Sequence, residues 1–488
     1  MVKKYSKIIM LALIVAMVFS CAAFAAPKKA IKKAAKKAAF QTVYLKSPNW
    51  EPNAKKVLND MMDMYGKASP KYDAKNKPYT VFDCDNSITI LDVEEQLAIY
   101  QLEHLRFAIR PDQMYDILVT GVPDVNKDLG KDYDHKTVKV IAEDAAAAYK
   151  KLFDKGYVAV DNSKEAKMKE WMATDDWKEF ATKSRWLYDA ICDVFDAAVG
   201  YPWITYWFAG MTPAQVERLA AESHTYYSKR AEADAAFWQK CKWTSPKDYP
   251  GSKGGQITIG FNQGVTVSPE LKELIAALDA NGIDMWINSA SYLDVIKAVP
   301  GVFGLKGVEG VVAMTNVVKD GVITNEYDYA FHPQTQGVGK SETIDKIIRP
   351  KYKGRGPILG VMDSQGDFNF CSEYKDTAVV LDLNRARKDD AGLIAAIALW
   401  QDKHGITLKK ALAMGDTRYV LQGRNENGGK LWAKNTCLRL GKDKEELLSS
   451  KAEKWLEMLE KGTTPKQLLN DCTKLTGKLK KYIGYKVR

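Results

Sequence analysis

Residues 81–95 read VFDCDNSITILDVEE, a short apolar run that leads into two carboxylates, Asp83 and Asp85, one residue apart. The residues just before them, 79–82, are of the β-branched and aromatic types that favour strands, and they follow the turn-forming stretch KYDAKNKP. This pattern predicts a buried strand that delivers the paired acids to a loop.

Helical and strand patterns alternate in the region that follows. SPELKELIAALDANG predicts a helix with Ser268 as its N-cap, Pro269 in its first position and Gly282 as its stop. Next come a strand in IDMWINSAS, a helix from near Ser341 to Pro350, a strand in PILGVM, the loop DSQGDFN and a strand in TAVVLDL. This order predicts an α/β fold with a Rossmann-like parallel sheet and helices on both of its faces.

Polar side chains stand where these predicted strands end. Asp83 and Asp85 follow the first, Ser289 ends the second, and Asp363 and Asp367 follow the third. Parallel strands place their carboxyl ends at one edge of the sheet, so we expect these side chains to share a crevice. Paired carboxylates in such a crevice suit Mg²⁺, which takes one or two carboxylates plus water and phosphate oxygens.

Four short segments carry a family resemblance. In chain order they are DCDNS at 83–87, INSAS with Ser289, GVGKSETIDKI with Lys340, and DSQGD at 363–367. They resemble the four motifs of the haloacid dehalogenase superfamily, in its phosphatase branch, over roughly residues 79–383. One departure is Met362, which stands where the family usually has glycine.

The resemblance implies a catalytic role for each motif. Asp83 is expected to attack phosphorus and form an aspartyl-phosphate, while Asp85 protonates the leaving alcohol and later activates water. Ser289 is expected to donate a hydrogen bond to a phosphoryl oxygen. Asn86 and Ser87, within the first motif, are expected to contact the substrate.

The resemblance also implies a cofactor, Mg²⁺. Its ligands would be the side chains of Asp83 and Asp363 and the backbone carbonyl of Asp85, with Asp367 supporting that shell or Lys340. Taken singly, a DxD pair is commonly a turn or a helix cap. A nucleotide-binding P-loop around Lys340 is disfavoured because Gln334 stands where that motif requires glycine.

The segment between Asp85 and Ser289 is far longer than one crossover helix. Its stretches 162–200 and 212–240 are helical in period, which predicts a mainly helical cap inserted after the first catalytic strand. Aromatic residues of this cap, such as Tyr188 and Tyr201, either pack its core or form a wall for a cationic group.

We predict a catalytic core at 40–93 and 263–425, the cap at 94–262 and a C-terminal helical extension at 426–488. In it, KEELLSSKAEKWLEMLEKG predicts a helix, and RYVLQGRNENGGKLW before it reads as a glycine-rich turn.

The expected charge of the substrate is inferred from Glu94 and Glu95. Adjacent acids at a helix start can simply favour the helix dipole. DVEEQLAIYQ, however, resembles the segment that binds choline in bacterial phosphorylcholine phosphatases, and phosphoserine phosphatases place an acid nearby for an amine. We therefore expect an exported, Mg²⁺-dependent phosphomonoesterase for a small amine-bearing alcohol phosphate, with phosphorylcholine first and phosphoethanolamine or phosphoserine next.

Two other functions stay open. A phosphotransferase would use the same catalytic residues and pass the phosphoryl group to an alcohol instead of water. A non-catalytic envelope protein that binds a ligand with its cap is the second, and Met362 is its support in the sequence. The sequence does not specify the oligomeric state.

The N-terminus has the pattern of an export signal. Three lysines precede an apolar run from Ile8 to Phe19, and Ala23-Phe24-Ala25 suits cleavage before Ala26. Lipidation at Cys21 is the rival, disfavoured because bulky Phe19 stands where a small residue is wanted. We therefore expect a signal peptide at 1–25 and a periplasmic or secreted protein.

Basic residues are concentrated at the two ends of the chain. The formal net charge is +11, nine lysines lie in residues 1–39, and six basic residues and no acid lie in 473–488, so the remainder carries −4. We expect no nucleic-acid binding, because the globular part lacks a basic footprint. The Lys/Ala-rich tether at 26–39 is expected to be attracted weakly to anionic envelope components.

Overall fold

The computed structural model describes residues 40–233, 236–471 and 488. The signal peptide, Cys21, the tether at 26–39 and the basic stretch 473–487 lie outside the described residues. The described residues from Thr42 onward form one compact unit. Within the described ranges, every helix is too short or too polar to cross a membrane.

A six-stranded parallel sheet forms the centre of the fold. Its strands, in chain order, are β1 (Tyr79–Phe82), β2 (Asp284–Tyr292), β3 (Val308–Met314), β4 (Leu359–Met362), β5 (Val379–Leu383) and β6 (Arg418–Gln422). Their order across the sheet is β6-β5-β4-β1-β2-β3, and every adjacent pair is parallel. The predicted Rossmann-like parallel sheet is confirmed.

Helices cover both faces of the sheet, as predicted. Successive residues of β1 point to opposite faces: Phe82 joins one buried apolar cluster and Val81 another. Helices of the core are Pro52–Tyr65, Pro269–Ala280, Leu293–Phe303, Val338–Thr343, Phe368–Ser372, Asp390–Lys403, Leu408–Ala413, Ser450–Glu460 and Pro465–Asp471.

Local sequence signals account for the ends of several of these helices. The hydroxyl of Ser268 accepts a hydrogen bond from the amide of Leu271 at 3.3 Å, and Gly282 takes a positive φ of +73°, as its predicted role as a stop requires. The helix predicted to start near Ser341 instead begins at Val338 and continues as irregular turns to Tyr352. The earlier start follows from Gly337, whose positive φ and hydrogen bond to the Gly366 carbonyl turn the chain into the helix.

The insertion after β1 forms a mainly helical cap with its own apolar core, as predicted. Its helices are Val93–His104, Met114–Val119, Val138–Asp154, Met168–Met172, Asp175–Phe195, Ala197–Thr205 and Pro213–Ala233. The prediction that helix continues to Lys240 is wrong, because Trp238–Thr244 pairs antiparallel with Thr258–Gly264 in a hairpin. The proposed domain boundaries stay a prediction.

The segment after the sheet also corrects one prediction. RYVLQ, read as part of a glycine-rich turn, is the buried edge strand β6, which pairs with β5 over five residues. These five residues, which end directly before Gly423, are too few to show the alternation of a strand in the sequence. Minor strands are Thr89–Ile90, Thr266–Val267, Asn316–Lys319, Val322–Tyr327, Arg424–Asn425, Lys430–Leu431 and Cys437–Leu438. The predicted C-terminal helix forms at Ser450–Glu460 and packs Trp455 and Leu459 into the core.

Candidate active site

Asp83 lies at the carboxyl end of the central strand β1, buried beneath the cap. Its amide donates to the carbonyl of Val361 in β4 at 3.1 Å, which extends the sheet by one residue and fixes the carboxylate. Asn86 then turns the chain with a positive φ of +59°, a conformation that asparagine tolerates better than most residues. This turn brings the hydroxyl of Ser87 back to donate to Asp83 Oδ2 at 2.8 Å.

Lys340 joins two of the motif carboxylates. Its ammonium donates to Asp83 Oδ1 at 2.6 Å and to Asp367 Oδ1 at 2.7 Å, and all three side chains are buried. Burial and the neighbouring Asp367 raise the pKa of Asp83 to about 7, against the opposing effect of Lys340. Burial alone would lower the pKa of Lys340, but Asp367 and Asp83 outweigh it and raise that pKa, so the ammonium stays charged.

Asp85 is held separately from this group. Its Oδ2 accepts hydrogen bonds from the hydroxyls of Ser289 at 3.0 Å and Ser291 at 2.7 Å, and its Oδ1 accepts from the amide of Val93 at 2.8 Å. Burial and the charge of Asp83 raise its pKa to about 6, although the three hydrogen bonds favour the ionised form. A carboxyl with this pKa can exchange a proton near neutral pH.

A divalent cation fits the carboxylates of Asp83, Asp363 and Asp367. One oxygen from each lies within 4.8 Å of the others, and all three residues are buried. Lys340 lies between two of these carboxylates, and carboxylate oxygens are the ligands that Mg²⁺ prefers. The side chain of Asp85 accepts three hydrogen bonds and is not part of this cluster. The predicted binding of the cation by the backbone carbonyl of Asp85 stays a prediction.

Two arginines that sequence reasoning missed contact Asp363. Arg385 Nη1 and Arg387 Nη2 donate to Asp363 Oδ2 at 3.0 and 2.8 Å. Burial opposes ionisation of Asp363, but these guanidinium groups outweigh it and lower its pKa to about 2. The signal was present, since NRARKDD directly follows β5 at the same edge of the sheet as the motif residues.

These side chains open onto a cavity of about 590 Å³. Its wall is strongly acidic, with Lys340 and Arg387 as its two cations among the described residues. Three aromatic rings, Tyr188, Phe195 and Tyr201, line the cap side of the same cavity. The carboxylates that line it are those of Asp83, Asp85, Asp92, Glu94, Asp193, Asp196, Asp363, Asp367 and Asp389.

The remaining predicted residues differ in their access to this cavity. Asn86 and Glu94 line it, and Glu94 is buried with its Oε1 accepting from the amide of Tyr292 at 2.9 Å. Glu95 is not among the residues that line it and lies 3.8 Å from Arg185. Ser87 and Ser289 sit behind Asp83 and Asp85, while Ser291, which was not predicted, reaches the cavity wall.

Comparison with solved structures finds chains of similar fold. No protein-family model matches the chain, and no curated protein matches it. A conserved protein of unknown function from Anaerococcus prevotii DSM 20548 is similar with a TM-score of 0.67 and 26% identity, over 83% of this chain and 100% of that one. A HAD family hydrolase from Salmonella enterica subsp. enterica serovar Typhi reaches a TM-score of 0.29 at 9% identity, over 62% of each chain, too low to support an inference.

The class of protein follows from the fold and the site. A parallel sheet with a helical cap brings all four motifs to one edge, where Asp83, Asp85, Ser289, Lys340, Asp363 and Asp367 cluster. The fold and the convergence of the four motifs are those that the resemblance to the haloacid dehalogenase superfamily implies. The narrower resemblance to phosphorylcholine phosphatases stays a prediction.

Proposed function

We propose that this protein is a divalent-cation-dependent phosphomonoesterase that acts on a small alcohol phosphate bearing a positively charged amine. The observation that carries the proposal is the single acidic cavity that holds both Asp83 and Asp85 at the sheet edge. The motif residues of this cavity would bind the phosphate group of such a substrate, and its other acidic and aromatic residues would bind the ammonium group.

The catalytic steps assign one task to each acid. A carboxylate oxygen of Asp83 attacks phosphorus, and the bond from phosphorus to the alcohol oxygen breaks as that oxygen takes a proton from Asp85. Asp85 then removes a proton from water, the hydroxide attacks phosphorus, and the phosphorus–oxygen bond to Asp83 breaks. Orthophosphate leaves, and both carboxyls return to their starting state.

Other residues hold this pair in place. Lys340 and Ser87 bind the two oxygens of Asp83 and orient the nucleophile. The hydroxyls of Ser289 and Ser291 orient Asp85. Asp83, Asp363 and Asp367 would hold the divalent cation, which when bound supplies positive charge beside the phosphate.

Acidic and aromatic residues of the cavity wall support the amine in the substrate. Asp92, Glu94, Asp193 and Asp196 line the cavity together with Tyr188 and Tyr201. Carboxylates attract an ammonium group, and an aromatic face adds about 0.5–2 kcal/mol for a well-placed cation. A neutral alcohol phosphate would bring no positive charge to these carboxylates.

A panel of phosphomonoesters tests the proposal. Wild type and Asp83→Asn are assayed on an aryl phosphate, glycerol phosphate, phosphoserine, phosphoethanolamine and phosphorylcholine, each with Mg²⁺ and with EDTA. We expect Mg²⁺-dependent turnover in the wild type only, with the highest kcat/KM on an amine-bearing ester. Added glycerol separates hydrolysis from phosphotransfer, because a transferase forms glycerol phosphate.

Two results would contradict the proposal. Wild-type activity in Asp83→Asn would show that Asp83 is not the nucleophile. Absence of turnover on every ester would favour the ligand-binding alternative. Export remains part of the proposal and is tested by sequencing the N-terminus of the mature chain, which we expect to begin at Ala26.

A further inference from the structure

A second cavity, of about 220 Å³, lies next to the catalytic one. Asn86 lines both cavities and so forms part of the wall between them. The charges of the second wall are the opposite of those in the first. Its charged lining residues are three cations, Arg385, Arg439 and Lys442, and one acid, Glu426.

The single acid of this wall is already fully engaged. Glu426 Oε1 accepts from Nε of Arg385 and from Nε of Arg424, each at 3.0 Å, and Oε2 accepts from the amide of Leu440 at 2.8 Å. Burial opposes its ionisation, but Arg424 and Arg385 outweigh this and lower the pKa of Glu426 to about 2. Its negative charge is therefore balanced inside the wall and does not neutralise Arg439 or Lys442.

Two cations of the wall, Arg439 and Lys442, have donor groups without a partner among the described residues. Nε of Arg439 is buried and has no hydrogen-bond partner in the described part of the chain, although Nη2 of the same side chain pairs with Glu446 at 2.8 Å. The ammonium of Lys442 forms no ion pair with any residue that the structure describes, and it lines the same cavity.

We propose that this second cavity is an anion site that binds a phosphate group. Guanidinium and ammonium groups around a small concave space are the donors that recognise oxyanions, with arginine binding two oxygens at once. Arg385 also donates to Asp363, so a phosphate in this cavity would contact the guanidinium that touches the catalytic site. The phosphate group could be free orthophosphate, or the second phosphate of a bisphosphorylated molecule.

Phosphate binding by the metal-free chain tests this site directly. In EDTA the catalytic cavity, with its nine carboxylates, should bind phosphate poorly, so equilibrium dialysis with labelled orthophosphate reports on the second cavity. We expect one phosphate per chain, bound about tenfold more weakly in Lys442→Gln and not measurably in Arg439→Gln/Lys442→Gln. Lys444→Gln is the matched control, since this exposed lysine does not line the cavity, and should bind like the wild type.

A second arm distinguishes the two sources of the phosphate group. Propanediol bisphosphate replaces orthophosphate in the same dialysis. Binding of orthophosphate identifies the free anion, whereas binding of the bisphosphate alone identifies a phosphate carried by a larger molecule. Failure of both ligands to bind, or equal binding in all four proteins, would overturn the proposal. The measurement involves no turnover, so that result would leave the proposed hydrolysis unaffected.

Discussion

Lys340 donates to Oδ1 of Asp83 at 2.6 Å across a separation of 257 residues in sequence. The same ammonium donates to Asp367 at 2.7 Å, so one buried cation bridges two buried carboxylates. This contact joins the first, third and fourth motifs into a single site.

Lys340→Met should destabilise the metal-free protein strongly. It leaves Asp83 and Asp367 buried without their shared cation, and breaking a buried pair costs about 3–5 kcal/mol. Chemical denaturation in EDTA measures the loss. Lys409→Met, at an exposed lysine, should change the free energy of unfolding by less than about 0.5 kcal/mol. Adding Asp367→Asn to Lys340→Met should recover part of the loss, and strictly additive effects would argue against the contact.

Asp363→Asn should abolish stabilisation by Mg²⁺. A cation that binds only the folded state raises the melting temperature, and Asp363 supplies one of the three clustered carboxylates. Thermal unfolding is recorded with and without Mg²⁺ for the wild type, for Asp363→Asn and for Asp193→Asn. Asp193 lines the cavity outside that cluster, so its variant should keep the shift. A shift that survives in Asp363→Asn would place the cation elsewhere.

Glu94 and Glu95, adjacent in sequence, should differ in their effect on specificity. Glu94 lines the cavity whereas Glu95 faces Arg185. We expect Glu94→Gln to raise KM for phosphorylcholine or phosphoethanolamine by about tenfold, as loss of one charged contact would, and to leave KM for an aryl phosphate nearly unchanged. Glu95→Gln should have the smaller effect on the amine esters. The reverse order would show that the amine binds on the other side of the helix Val93–His104.

His224 should make the protein sensitive to acid. It is buried against the carbonyl of Val295, and burial lowers its pKa from 6.5 to about 4. The unfolded chain therefore binds a proton before the folded chain does, and the free energy of unfolding falls as pH drops from about 6.5 to about 4, by roughly 3 kcal/mol from this group.

Denaturation at a series of pH values checks this contribution. In His224→Gln the fall across that range should be smaller than in the wild type by the same amount. His404→Gln, at an exposed histidine, should follow the wild-type curve. An identical acid response in all three proteins would show that the proton of His224 is not linked to folding.

The sequence was informative where local pattern and tertiary structure agree. Strand β1 and the helix after Ser268 were recognisable because continuous apolar runs, an N-cap and a stop glycine act over a few residues. The convergence of Asp83, Ser289 and Asp363 followed from chain order and from the rule that parallel strands end at one edge, and that of Lys340 followed from the family resemblance. These features need no knowledge of the side chains across the site.

Features that depend on distant packing were not predicted. Strand β6 was missed because its five residues form a strand only by pairing with β5. The strand Trp238–Thr244 was missed because its partner, Thr258–Gly264, lies beyond an intervening loop. Arg385 and Arg387 were missed because their role depends on a carboxylate from another strand. That Glu94 lines the cavity and Glu95 does not could not be predicted from two adjacent residues in the sequence.

The most direct measurement of the central claim is the detection of a phosphorylated Asp83. Asp85→Asn lacks the base that activates water but keeps the nucleophile, and an aryl phosphate has a leaving group that needs little protonation. After rapid acid quench of this variant with Mg²⁺ and an aryl phosphate, peptide mass spectrometry should find one added HPO₃ on Asp83. The double variant Asp83→Asn/Asp85→Asn should carry none. An unmodified Asp83 in a variant that still releases the aryl alcohol, or HPO₃ on another residue, would contradict the account.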